Sequence, residues 1–132
     1  MNDTTSERYR RLSRQFSEML DDVPDDAWSA PTPCAGWDVR DVLRHVVDTN
    51  RDFLGRHVEL DPATGDLRAD WESVRTLTQE VLDDGRGETQ FEGYFGPTTV
   101  AEVIDRFYGT DLLVHRWDIA RAAGAPEHEA LD

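Results

Sequence analysis

The chain contains no lysine and only one cysteine, Cys34. Imine formation with a carbonyl substrate needs a primary amine, so lysine Schiff-base chemistry is excluded. A single cysteine excludes an intrachain disulfide and suits a reducing compartment. No stretch approaches the roughly 20 apolar residues of a membrane span. The opening MNDTTSERYRR lacks the apolar core of a signal peptide, and the expectation is a cytoplasmic protein. No G-x-S-x-G elbow, phosphate loop, dinucleotide fingerprint or paired-cysteine motif occurs. Positive charge is scarce as well: 14 arginines stand against 28 acidic residues, for a net charge of −14. Such a chain has no electrostatic footprint for nucleic acid or anionic lipid. Its most basic run, ERYRRLSR, reads as the solvated face of a first helix.

What is present is a helical pattern. The 132 residues can bury a core without disulfide or metal staples, and are expected to form one domain over residues 1–132. Tyr9, Leu12, Phe16, Met19 and Leu20 recur at helical spacing and predict an amphipathic helix from about Thr5 to Leu20. The stretch DDVPDDAWSAPTPCAGW, with three prolines and a glycine, stops that helix. It predicts a long connection, pinned by Trp28 and Trp37. Asp38 then fits an N-cap, with Asp41 in the first turn where the helix dipole favours an anion. The second helix runs to Phe53 or Arg56 with Val39, Val42, Val46 and Phe53 as its apolar stripe. Leu67, Trp71, Val74, Leu77, Thr78 and Val81 predict a third helix ending near Gly85.

GRGETQFEGYFGP is too broken for a helix and reads as a small hairpin or a lid. Thr99 and Glu102 fit a capping box for a fourth helix through Val103, Ile104, Phe107, Asp111, Val114, His115 and Asp118. Gly124 and Pro126 mark its end. Gly109 is its weak point, a place for a kink or for close approach of a neighbour. Four amphipathic helices without a convincing strand predict an all-α four-helix bundle with a long connection between helices 1 and 2.

Within this frame three side chains form a candidate metal site. Asp111 and His115 are four residues apart, so they share one helix face about a turn apart, in line with Ile104 and Phe107. An inward carboxylate is costly to desolvate, and a divalent cation would pair it while holding the imidazole neutral. By itself D-x-x-x-H is also an ordinary hydrogen-bonded pair. The joint pattern says more, because His45 stands beside Val42 and Val46 at the edge of another helix's apolar stripe. Two histidines and a carboxylate with free coordination positions suit zinc first, and also nickel, iron or manganese.

Asp41, four residues before His45, makes a rival ligand pair but is read as the dipole partner of its helix. Asp118 is either an acceptor orienting His115 or a partner of Arg121. Cys34, placed about 10 Å along the helix axis from His45, is read as a small residue fixing the proline-rich turn, outside the ligand set. His57 and His128 receive no role. Tyr94, Phe95, Tyr108 and Trp117 are expected in the core, with a second reading in which they line a pocket.

The block TPCAGWDVRDVLRHV, followed after a helix and a glycine-rich loop by DLLVHRWDIARAAG, resembles the metal-binding domain of actinobacterial mycothiol-dependent maleylpyruvate isomerase-like proteins. These belong to the DinB-like superfamily, to which bacterial low-molecular-weight thiol transferases are also similar. The resemblance implies a DinB-type four-helix bundle. It matches His45 to the first metal ligand, and Asp111 and His115 to the carboxylate and histidine of the last helix. It also implies a low-molecular-weight thiol such as mycothiol as cofactor, and S-transfer or isomerisation of a small electrophile. The isomerases commonly carry glutamate where Asp111 stands, and they continue into a further domain that helps form the substrate site. What carries to this chain is therefore the metal-binding bundle and thiol-dependent chemistry. The rival readings are a non-catalytic metal- or ligand-binding bundle acting through association, and a structural helical dimer whose polar trio is satisfied by hydrogen bonds. An exposed apolar helix face would suit a homodimer.

Overall fold

A computed structural model describes residues 4–124, so His128 and the Pro126 stop signal lie outside the described residues. Three long helices, α1 (Thr5–Asp21), α2 (Val39–Gly55) and α3 (Leu67–Asp83), pack with a fourth that comes in three parts. These are α4 (Val100–Val103), a π-helical segment (Ile104–Gly109) and α5 (Thr110–Ala123). Short 3₁₀ turns occupy Asp25–Ala27 and Arg86–Glu88. No helix among the described residues is long and apolar enough to cross a membrane.

The all-α expectation needs one correction. Strands β1 (Gln90–Gly93) and β2 (Gly96–Thr99) pair antiparallel, from Gln90 opposite Thr99 to Gly93 opposite Gly96. Four-residue strands are too short to show an alternating pattern, which is why the sequence marks them only as a glycine-rich break. The hairpin reading of that break is the one that forms. Its tight turn needs Gly96, whose φ of 111° lies where side chains are rarely tolerated.

Local chemistry sets the helix ends. Asp38 and Asp41 form a reciprocal capping box: the Asp41 N–H donates to Asp38 Oδ1 at 2.8 Å, and the Asp38 N–H to Asp41 Oδ2 at 3.1 Å. Asp41 is thereby held at the start of α2, as its first-turn position suggested. Thr99 Oγ1 accepts from the Glu102 N–H at 3.1 Å and starts α4. Phe16, Met19, Val39, Val42, Val46, Trp71 and Ile119 are fully buried and form the centre of the core. The 22–38 connection lies against this core through Trp28, and its two ends meet at a bridge between Pro31 and Asp38. Trp37 does not pin it from inside, being 38% exposed.

The π-helical segment changes the phase of the last helix. An α-helix advances about 100° per residue, and a π turn takes up one extra residue, so side chains before it no longer line up with those after it. Ile104 is buried, yet Phe107 is 47% exposed instead of sharing the inward line of Asp111 and His115. The expected alignment of Phe107 with those two residues is therefore wrong. Gly109 closes the segment under Leu12 of α1, where an added Cβ would lie 3.5 Å from Leu12 Cδ1 and 3.5 Å from the Ile104 carbonyl oxygen.

Asp70, in the first turn of α3, anchors the loop from α2. It accepts the Thr64 N–H at 2.9 Å, the Thr64 hydroxyl at 2.8 Å and the Gly65 N–H at 3.2 Å. The Thr64 N–H leads these donors, and against the opposing effect of burial they hold the carboxyl below its usual range. A depressed folded-state pKa gives stability that is present above the unfolded value, about 3.9, and is lost as pH falls through the folded value. Asp70→Asn should therefore lower stability at neutral pH and flatten its fall on acidification. Urea melts from pH 7 to pH 2 test this, and parallel curves for parent and variant would contradict it.

Candidate metal centre

His45 sits on α2 one position before the buried Val46, at the rim of the core, and is half-buried. Across from it α5 carries Asp111, half-buried, and His115, buried between the core residues Leu112 and Ile119. The two imidazoles meet edge to face with centroids 5.3 Å apart. His115 Nε2 lies 3.0 Å from Asp111 Oδ1. One donor atom each from His45, Asp111 and His115 falls within a 4.8 Å cluster. Bonds of about 2.0–2.2 Å in a tetrahedral shell put donors roughly 3.3–3.6 Å apart, so small side-chain movements suffice to fit this set to an ion. The three sequence-selected residues are thus brought together.

The other side of His115 is occupied as well. Its Nδ1 lies 3.2 Å from Asp118 Oδ2, which also accepts from the Cys34 thiol at 3.5 Å. Of the two readings of Asp118, the structure shows the acceptor on His115. Burial opposes protonation of His115, but the hydrogen bond and charge of Asp111, together with Asp118, outweigh it and raise its pKa. Burial, then the charge of Asp118, pushes the Cys34 thiol up, so it stays protonated and donates.

Cys34 is held in the turn it was expected to fix, its N–H donating to Thr32 Oγ1 and its carbonyl accepting from the Trp37 N–H, yet its thiol reaches the neighbourhood of His115. Cys34, His115 and Asp118 form a second cluster of possible donors within 4.8 Å, sharing His115 with the first. The connection brings Cys34 against Asp118 of α5. Nothing in local spacing signals this contact. Trp37, on the same connection, packs its ring against His45 with centroids 4.9 Å apart. Beside it a hollow of about 470 Å³ opens, lined by Gly36, Trp37, Asp41, Arg44, His45 and Asp48.

The aromatics expected in the core divide. Tyr108 and Trp117 are half-buried, but Tyr94 and Phe95 stand 95% and 80% exposed at the hairpin tip. His57, given no role from sequence, packs between Phe53 and Phe91 at centroid distances of 5.0 and 4.5 Å.

Residues 9–66 match the family model of the mycothiol maleylpyruvate isomerase N-terminal domain. Over this segment, somewhat under half of the chain, the protein is similar to that family. The matched part of the isomerase-type domain contains Cys34, Trp37 and His45, while Asp111, His115 and Asp118 lie beyond it. The chain is also 30% identical over 120 residues to the uncharacterized proteins MT0763 and Rv0738 of Mycobacterium tuberculosis, strains CDC 1551 / Oshkosh and ATCC 25618 / H37Rv. The alignment covers 88% of this chain and 65% of each relative, so the chain spans just under two thirds of their length. No solved structure shows significant similarity to the chain.

Proposed function

We propose that this protein is a divalent-metal-binding bundle of the DinB-like type, its residues 1–132 forming one domain, that serves thiol-dependent S-transfer or isomerisation of a small electrophile in the cytoplasm. The observation that carries the reading is the convergence of His45, Asp111 and His115 from two helices, with the hollow beside Trp37 leaving one side accessible. A divalent ion held by these three residues, zinc first among zinc, nickel, iron and manganese, would lower the pKa of a bound thiol such as mycothiol so that it is nucleophilic near neutral pH.

The remaining residues have separate tasks. Asp118 accepts from His115 Nδ1, which fixes the ring and leaves Nε2 beside Asp111. Trp37 covers one face of His45 and keeps water from that side. Arg44 is the cation among the residues lining the hollow, positioned for an anionic group on thiol or substrate. The match to the isomerase N-terminal domain supports the thiol-dependent class of chemistry.

The test begins with metal content by plasma mass spectrometry on protein purified without chelator or affinity metal. About one equivalent of a transition metal per chain is expected. The loaded protein should then consume chlorodinitrobenzene faster than background in the presence of mycothiol. Stoichiometric metal without turnover across several thiols and electrophiles would favour a non-catalytic metal-binding bundle. Absence of metal uptake would overturn the proposal.

A further inference from the structure

A second concavity lies away from the candidate metal centre, where the hairpin folds over the C-terminal turn of α2 and the π-helical segment. It encloses about 540 Å³, within the roughly 300–1,000 Å³ of small-molecule sites. Phe53 and Val103 are part of its lining and also pack on the core. His57 and Phe91 add two further rings, 4.5 Å apart. At the rim, Phe95 and Phe107 lie nearly parallel, with a 15° interplanar angle and centroids 6.4 Å apart. Along α2, Phe53 is eight residues from His45, roughly 12 Å in a helix of 1.5 Å rise. The groove is therefore not part of the ligand cluster.

Two features need an explanation. Phe95 and Phe107 are exposed to water at a cost, and they are adjacent around one hollow instead of scattered over the surface. Both arginines nearby are paired with acids. Arg56 pairs with Asp52 at 2.8 Å, and Arg106 with Glu102 at 3.4 Å. Glu92, also in the lining, repels anions. Burial, assisted by the charge of Arg56, lowers the His57 pKa, so the imidazole is neutral at neutral pH and offers hydrogen bonding without charge. An uncharged occupant matches this lining. A second copy of the chain fits less well, since each copy carries a net charge of −14 and the contact surface is concave.

We propose that this groove binds an uncharged, planar aromatic small molecule, with Phe95 and Phe107 at its mouth and Phe53, Phe91 and His57 against its inner face. The site does not depend on the metal reading, and its test needs no metal.

The probe is N-phenyl-1-naphthylamine, which is neutral and fluoresces when it leaves water. Titration into the full chain should show saturable binding of about one probe per chain, unchanged by chelator. The double variant Phe95→Ser, Phe107→Ser alters only exposed rings and should keep the parent's circular dichroism and melting. It should bind the probe about tenfold more weakly, as expected for losing two aromatic contacts. Non-saturable binding, or equal binding by the double variant, would overturn the proposal. So would sedimentation showing a parent dimer that the double variant cannot form, because the groove would then be covered by a second copy.

Discussion

Alanine at His115 is expected to remove stoichiometric metal, with affinity falling by more than about 100-fold. The reason is its place in the geometry. His115 is the residue shared by both donor clusters, with Asp111 against one ring nitrogen and Asp118 against the other. Without it, His45 and Asp111 remain as two donors, one short of the three that hold an ion in a half-open site. Asp118→Asn makes a graded comparison. The amide keeps the size of the side chain but removes the charge that orients the imidazole, a change that typically costs about 10–100-fold in metal affinity. Competition against a chelating indicator at fixed pH measures both. The order parent, Asp118→Asn, His115→Ala in falling affinity is expected. Equal affinity of His115→Ala and the parent would remove His115 from the ligand set.

Trp71→Ala is expected to cost about 3–5 kcal/mol of stability, the range for deleting a large buried aromatic. Trp71 is fully buried and packs edge to face on Phe16 with centroids 4.8 Å apart. Its indole N–H donates at 2.9 Å to Ser17 Oγ, which also accepts from Arg75 at 2.7 Å and donates to Glu72 at 2.8 Å. The ring thus joins α1 to α3 by shape and by a polar contact at its edge. Alanine leaves a cavity in the centre of the core and frees one acceptor site on Ser17. For a chain of this length the loss corresponds to roughly 10–20 °C in Tm. Thermal and urea melts monitored by circular dichroism provide the check. A drop of less than about 5 °C would mean that the helices close around the hole instead of leaving it open.

The helices were legible because their signals are local. The stripe Val39, Val42, Val46 and the Asp38–Asp41 cap each depend on residues within one or two turns, and they start α2 at Val39. His45, Asp111 and His115 were singled out by the same spacing, and tertiary packing of α2 on α5 brings them together. The contact of Cys34 with Asp118 is not legible in the sequence, because the two residues are 84 positions apart and meet only through the path of the connection. Phe107 departs from its expected line for another reason: the backbone over Ile104–Gly109 is π-helical, so α-helical spacing does not hold there. Tyr94 and Phe95 were expected inside on hydrophobicity alone, although a two-residue hairpin turn leaves little room to bury them.

The π-helical turn separates two jobs that one continuous helix would have tied together. In an unbroken α-helix every change of facing on the hairpin side would be transmitted to the Asp111–His115 face, because both sides share one rotational frame. Here the turn works like a slip coupling. Ile104–Gly109 takes up the angular mismatch, so Phe107 faces the aromatic groove while the four-residue step from Asp111 to His115 keeps its own facing. Deleting one residue from this segment would lock the two frames together and swing the hairpin side by about 100° relative to α5.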